Sequence, residues 1–270
     1  MSVLSEILAT KRDEVTLLHR PQTRSLLRSQ ALDAAPTRDF AEALRRPDGN
    51  LAVIAEFKRR SPSKGDLALQ LNPHNVATEY AKGGASAISV LTDSAFFGGR
   101  IDDLQAAREV VEIPVLRKDF TIDEVQVYET RAIGGDALLL ILAALPDDAL
   151  VIDLQELAWS LGLAVLVEAH TPEEIERGVR LGAQILGVNA RDLKTFAEDL
   201  EGAAAMAAAI PTGTIAVAES SIRSQANAEA MASAGFDAVL VGEALIRSDD
   251  PAAFVSAMAS IGVGKRNTSS

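Results

Sequence analysis

The chain contains no cysteine, so disulfides, thiolate nucleophiles and cysteine-held metals are excluded. Its three histidines, His19, His74 and His170, stand in unrelated contexts, which argues against a metal centre. Aromatic side chains make up only 4% of 270 residues, so aliphatic residues and alanine must fill the core. Positive charge is short as well. The net charge of -12 leaves no broad basic face for nucleic acid or an anionic membrane, although a local pocket can still hold a small anion. No uninterrupted apolar run is long enough to span a bilayer. The first residues lack a basic segment followed by an apolar one, so no signal peptide is read. The lack of cysteine fits a reducing compartment, and a cytoplasmic location is expected.

Against these absences stand eight short apolar, β-branched-rich runs, at 51–58, 87–92, 114–119, 137–142, 164–169, 185–190, 215–220 and 238–243. Segments of helical character fill the gaps, at 75–82, 101–110, 121–133, 147–161, 172–181, 202–209, 224–234 and 251–261. The start Thr171-Pro172-Glu173-Glu174 shows why: a capping hydroxyl, proline at the first helical position and acids in the first turn. Glycines at Gly84, Gly135, Gly182 and Gly235 precede the second, fourth, sixth and eighth runs and read as helix stops. Eight strand–helix units of this length predict a (β/α)8 barrel. A doubly wound open sheet is the alternative, but no G-x-G-x-x-G loop follows any run.

Residues 1–50 fall outside the eightfold pattern. Leu4, Ile7, Leu8, Val15 and Leu18 share a helical face, so a helix is expected over 2–18, with a second over 38–45. This stretch reads as a helical extension packed on a barrel spanning 51–262, and 263–270 as a frayed polar tail.

Barrel enzymes build their sites at the C-terminal ends of the strands. There the first run carries Glu56 and Lys58, two apart and therefore on one face. Two opposite charges on a buried strand are costly unless they are paired or used. The third run carries Lys118, the fifth Glu168, the sixth Asn189 with Arg191 beyond it, the seventh Glu219, and the eighth Gly242 and Glu243. The fourth offers Leu139 as an apolar wall. A lone strand-end carboxylate is usually solvated or a cap, and Arg60 and Lys64 read as solvated charges. Six strands sending polar groups to one rim is a different matter. With no Ser-His-Asp set and no nucleotide loop, the expected chemistry is acid–base catalysis without metal or cofactor, a lysine Schiff base being the other option. The seventh and eighth strand ends, at Ser220, Ser221, Gly242 and Glu243, suit an anion grip of backbone N–H groups.

The segments 54–65 (Glu-Phe-Lys-Arg-Arg-Ser-Pro-Ser-Lys-Gly at its heart), Leu91-Thr92-Asp93, Phe96-Phe97-Gly98-Gly99, Leu116-Arg117-Lys118-Asp119-Phe120, Val167-Glu168, 187–193 and Ala218-Glu219-Ser220 resemble, in order and across the chain, the indole-3-glycerol-phosphate synthases of tryptophan biosynthesis. The resemblance implies a phosphorylated small-molecule substrate, 1-(2-carboxyphenylamino)-1-deoxyribulose 5-phosphate. It would be closed to indole-3-glycerol phosphate with loss of CO2 and water. By the same resemblance Lys118 is the acid on the ketone, and Glu168 stabilises the charge developing on the anilino nitrogen. Lys58 with Glu56 serves dehydration. Glu219 holds substrate hydroxyls and Asn189 orients the substrate. Ser61 and Arg191 lie near the carboxylate, while Pro62, Phe97, Phe120, Leu139 and Leu193 wall the aromatic ring. Lys58, Ser220, Ser221, Gly242 and Glu243 take the phosphate.

One departure stands out. The family reads Glu-Ser-Gly after strand seven, and Ser221 here replaces that glycine, a cost of about 1 kcal/mol if the backbone there needs a positive φ. Phe57 replaces a smaller aliphatic residue but should face the helices. Two rivals are weaker. A phosphoribosylanthranilate isomerase would be expected to use a cysteine, and an inactive barrel serving as a binding subunit would be expected to have lost one of Lys118, Glu168 or Lys58. With nearly every residue used by one barrel, the chain reads as monofunctional. Association with other tryptophan-pathway enzymes is not legible in the sequence.

Overall fold

The computed structural model of the chain describes residues 3–45, 48–62, 65–67, 69–192 and 197–266. Eight parallel strands close into a barrel: β1 (Ala52–Phe57), β2 (Ala87–Leu91), β3 (Val115–Lys118), β4 (Ala137–Ile141), β5 (Ala164–Ala169), β6 (Ile185–Asn189), β7 (Ile215–Glu219) and β8 (Ala238–Val241). Each strand pairs with its sequence neighbours. The seam is closed by β1 on β8, with Ala52 opposite Ala238 and Ala55 opposite Val241. The open doubly wound sheet is thereby excluded.

Alternation along the strands sorts the core into two layers. Val53, Ala55 and Phe57 face outward into the apolar layer beneath the helices, together with Val90, Leu138 and Val167. Ala52, Ile54, Leu116, Leu139, Leu166 and Leu240 face inward and fill the barrel. Phe57 lies in the outer layer as expected, so the inward positions 56 and 58 are left for polar groups.

The helices α4 (Pro73–Lys82), α5 (Ile101–Val110), α6 (Glu124–Ala132), α7 (Asp148–Ser160), α8 (Pro172–Arg180), α9 (Leu200–Met206), α10 (Gln225–Ala234) and α12 (Pro251–Ala259) alternate with the strands. Their starts are sequence-encoded. Asn72, Asp123, Asp147, Thr171, Ser224 and Asp250 each accept a backbone N–H of the first turn. A four-residue helix, α11 (Glu243–Ile246), intervenes directly after β8. The glycine echo needs one adjustment: in the fourth unit Gly134, not Gly135, takes the positive φ.

The N-terminal stretch holds three helices where the sequence suggested two: α1 (Val3–Leu18), α2 (Pro21–Asp33) and α3 (Phe40–Leu44). The second begins at a proline with no side-chain cap and buries only Ala31, so it carried little apolar signal. It packs on α6. Phe40 and Leu44 of α3 join the inward layer of the barrel. Of the tail expected to fray over 263–270, residues 263–266 are held in place, and 267–270 lie outside the described residues. The Gly264 N–H donates to the Ala232 carbonyl at 2.9 Å, and the Arg266 guanidinium pairs with Asp237 and donates to the carbonyls of Pro211 and Thr214.

Candidate active site

The strand ends converge on one cleft at the C-terminal mouth. Every expected site residue among the described ones lines it; Leu193 lies outside the described residues. At the end of β1, Lys58 Nζ donates to Glu56 Oε1 at 2.7 Å. Gly242 sits against this pair. A Cβ there would stand 2.6 Å from Glu56 Oε1 and 3.1 Å from Lys58 Nζ, so glycine at that position keeps room for both side chains.

The second cluster is deeper. Lys118 Nζ of β3 donates to Glu168 Oε2 of β5 at 2.6 Å and lies 2.9 Å from Glu219 Oε2 of β7. Burial opposes the Lys118 charge, but Glu168, Glu219 and Glu56 outweigh it and raise the pKa. Burial likewise opposes the Glu168 carboxylate, yet Lys118 and His170 hold its pKa well below the usual range. Glu219 goes the other way: burial, with the neighbouring Glu168, pushes it up to about 8 against the pull of Lys118. One cation thus serves two carboxylates of opposite tendency, so the pair resists full ionisation. Neither Glu219 oxygen, both of them buried, makes a well-aligned hydrogen bond among the described residues, which leaves hydrogen-bonding capacity at this end of the cleft.

An apolar wall faces these groups. The Phe97 and Phe120 rings lie 6.2 Å apart, centroid to centroid, and Leu139, Pro62 and Ile141 continue the surface. Arg191, past the end of β6, lines the cleft, but its Nη2 is engaged by Glu198 Oε1 at 2.6 Å, and its backbone N–H donates to Asn189 Oδ1 at 3.0 Å. Glu198 also binds Arg223, another cleft residue; sequence reasoning passed over both. Arg60 is half-buried and does not line the cleft; its Nη2 donates to the Ala95 carbonyl at 2.5 Å, tying the loop after β1 to the loop after β2. Lys64 lies outside the described residues.

After β7, Ser220 and Ser221 have φ of 66° and 60°, the only non-glycine residues of the left-handed region among those described. The Ser221 hydroxyl is buried without a hydrogen-bond partner. Two consecutive left-handed serines in a wall that includes Gly242 and Glu243 are strained backbone facing the ligand space.

The largest feature missed in the sequence lies behind Lys118 and Phe120. Lys11 of α1 is 2% exposed and pairs with Asp119 at 2.8 Å, Asp93 at 3.1 Å and Glu14 at 2.7 Å. Asp93 Oδ1 accepts the N–H groups of Phe96 and Phe97, and Asp119 Oδ1 accepts that of Phe120. Asp119 is held from the other side by Arg117, itself paired with Glu129. Burial is outweighed by Arg117 and Lys11, which lower the Asp119 pKa to about 2. One lysine of the extension thus fixes both loops that carry the aromatic wall. Its position, four residues past Ile7 and four before Val15 on the buried helical face, was the available signal.

The family model of indole-3-glycerol phosphate synthase matches residues 4–258. The chain is 49% identical to the indole-3-glycerol phosphate synthase of Micrococcus luteus, over 93% of this chain and 94% of that protein. It is 47% identical to that of Chloroherpeton thalassium, over 94% and 98%. Among solved structures it is similar in fold to a 3-hexulose-6-phosphate synthase, with a TM-score of 0.63 at 16% identity over 78% of this chain and 99% of that one. A thiamine phosphate pyrophosphorylase from Pyrococcus furiosus gives 0.59 at 19% identity, over 82% and 96%.

Proposed function

The chain belongs to the indole-3-glycerol phosphate synthase family, and from that premise we propose how its cleft carries out the family's reaction. The activity is that of a carboxy-lyase in tryptophan biosynthesis. It joins the carboxylate-bearing ring carbon of the substrate to its ketone carbon, then releases CO2 and water.

Lys118 is the acid of ring closure. Its ammonium, buried among carboxylates, donates a proton to the ketone oxygen as the carbon–carbon bond forms. Positive charge then appears on the anilino nitrogen, and Glu168, kept anionic at 2.6 Å from Lys118, offsets it. Loss of CO2 returns the bonding electrons and restores the aromatic ring. Lys58 and Glu56, paired at 2.7 Å, serve the dehydration, one protonating the leaving hydroxyl and the other taking the ring proton. Glu219 accepts from substrate hydroxyls and, by its own protonation, sets how tightly Lys118 is held. Asn189 orients the substrate. The rings of Phe97 and Phe120, with Pro62 and Leu139, take the anthranilate ring, with Ser61 and Arg191 near its carboxylate. Lys58 and the backbone around Ser220, Ser221, Gly242 and Glu243 take the phosphate. We infer a cytoplasmic setting for this soluble-metabolite chemistry.

The observation that carries this reading is the Lys118 ammonium shared between Glu168 and Glu219. Purified protein given the carboxyphenylamino-deoxyribulose phosphate should produce the fluorescent indole product without added metal or cofactor, and Lys118→Ala should abolish ring closure while still binding substrate. Near-normal turnover in that variant would remove Lys118 from its role.

A further inference from the structure

His170 has no part in the reaction as described. It follows Glu168 by two residues and lies one residue past the end of β5. It is not among the residues lining the cleft and is only 9% exposed, so it reaches the cleft only through its contact with Glu168. Its two ring nitrogens face different carboxylates. Nε2 lies 3.2 Å from Glu168 Oε1, a charge-to-charge contact without hydrogen-bond alignment, and Nδ1 lies 3.4 Å from Glu174 Oε2. Glu174, in the first turn of α8, is itself held, because its Oε2 accepts the His170 backbone N–H at 2.7 Å.

A neutral imidazole has one N–H and one lone pair. Between these two carboxylates the lone pair would face an anionic oxygen; a doubly protonated ring presents positive charge to both. Burial opposes the charged ring, but Glu168 and Glu174 outweigh it and raise the pKa to about 10. The Glu168 carboxylate is then divided between two cations, Oε2 to Lys118 and Oε1 to His170. Lys118 must turn to the ketone and give up its proton during ring closure. At that moment His170 is the cation still facing Glu168 among the described residues, with the acidic Glu219 beside it.

We propose that His170 is a positioning residue for ring closure: an imidazolium, braced by Glu174, that fixes the Glu168 carboxylate and keeps it anionic while Lys118 engages the substrate. The proposal rests on the roles given above to Lys118 and Glu168.

The test is His170→Gln, which retains an N–H donor and removes the charge. Loss of the cation lets Glu168 protonate more readily, so the acidic limb of the kcat profile moves to higher pH. The expected kcat falls about tenfold or more, with KM little changed and a thermal scan that shows a folded protein. Near-wild-type kcat with an unmoved acidic limb would overturn the proposal. Should the variant not fold, nitrogen-15 NMR of the three histidines in the unaltered protein decides the matter: a doubly protonated His170 at pH 8 supports the proposal and a neutral ring overturns it. Glu168→Gln, measured in parallel, separates the two levels. If it turns over normally, the role of Glu168 falls and the proposal with it. If it is inactive while His170→Gln is normal, only the proposal falls.

Discussion

A Cβ on Gly187 would stand 2.0 Å from Glu219 Oε1. Gly187 lies inside β6 and Glu219 ends β7, so the glycine is the gap into which the carboxylate folds to reach Lys118. Gly187→Ala should displace Glu219 by about an ångström and lower kcat/KM on the order of 100-fold. Overpacking should cost about 1–3 kcal/mol of stability. Steady-state kinetics with urea unfolding checks both; an alanine variant with normal kinetics would show that Glu219 need not occupy that gap.

Lys11→Met leaves Asp93 and Asp119 buried without their shared cation. Removing one partner of a buried ion pair costs about 3–5 kcal/mol, and the loss should appear as a lower urea midpoint. KM should rise too, because the loops bearing Phe97 and Phe120 lose their common anchor. A midpoint within experimental scatter of the parent's would show that the cluster contributes little.

Ser221→Gly removes a side chain from a residue at φ 60°. The expected gain in stability is about 1 kcal/mol, with phosphate affinity retained. Equal or lower stability would mean that the extra freedom of glycine in the unfolded chain offsets the strain relieved.

Glu219 supplies a pH signature with a definite sign. Its folded pKa of about 8 lies above the ordinary carboxyl value near 4.3. Its contribution to stability is therefore complete below about pH 4 and is lost as pH rises through about 8. Over the upper part of that window the new anion grips Lys118 harder, so kcat should decline above pH 8. Glu219→Gln should flatten both trends, and a variant with the same alkaline limb as the parent would assign that limb to another group.

The strand ends were legible because alternation is rigid: once 54 faces inward, so must 56, and the same step places 118, 168, 189 and 219. The anchors behind them were not. Lys11 is far in sequence from Asp93 and Asp119, so its place on the Ile7–Val15 face could mark it as buried but could not name the carboxylates it meets. Glu198 was hidden for a similar reason, since its partners Arg191 and Arg223 come from different loops. The helix Pro21–Asp33 was missed because it rests on α6 with little buried apolar surface of its own. Gly187 read as an ordinary strand residue until Glu219 was seen to occupy its missing side chain.

The seam between β1 and β8 joins Ala52 to Ala238, the pairing of greatest sequence separation in the barrel. It also gathers Glu56, Lys58 and Gly242 into one half of the cleft. On a ribosome, β1 emerges long before its last neighbour and must wait with one edge unpaired. The half of the cleft that holds Glu56, Lys58 and Gly242 therefore exists only in chains in which β1 and β8 have met, and turnover during refolding becomes a reporter of circular closure, not of compaction.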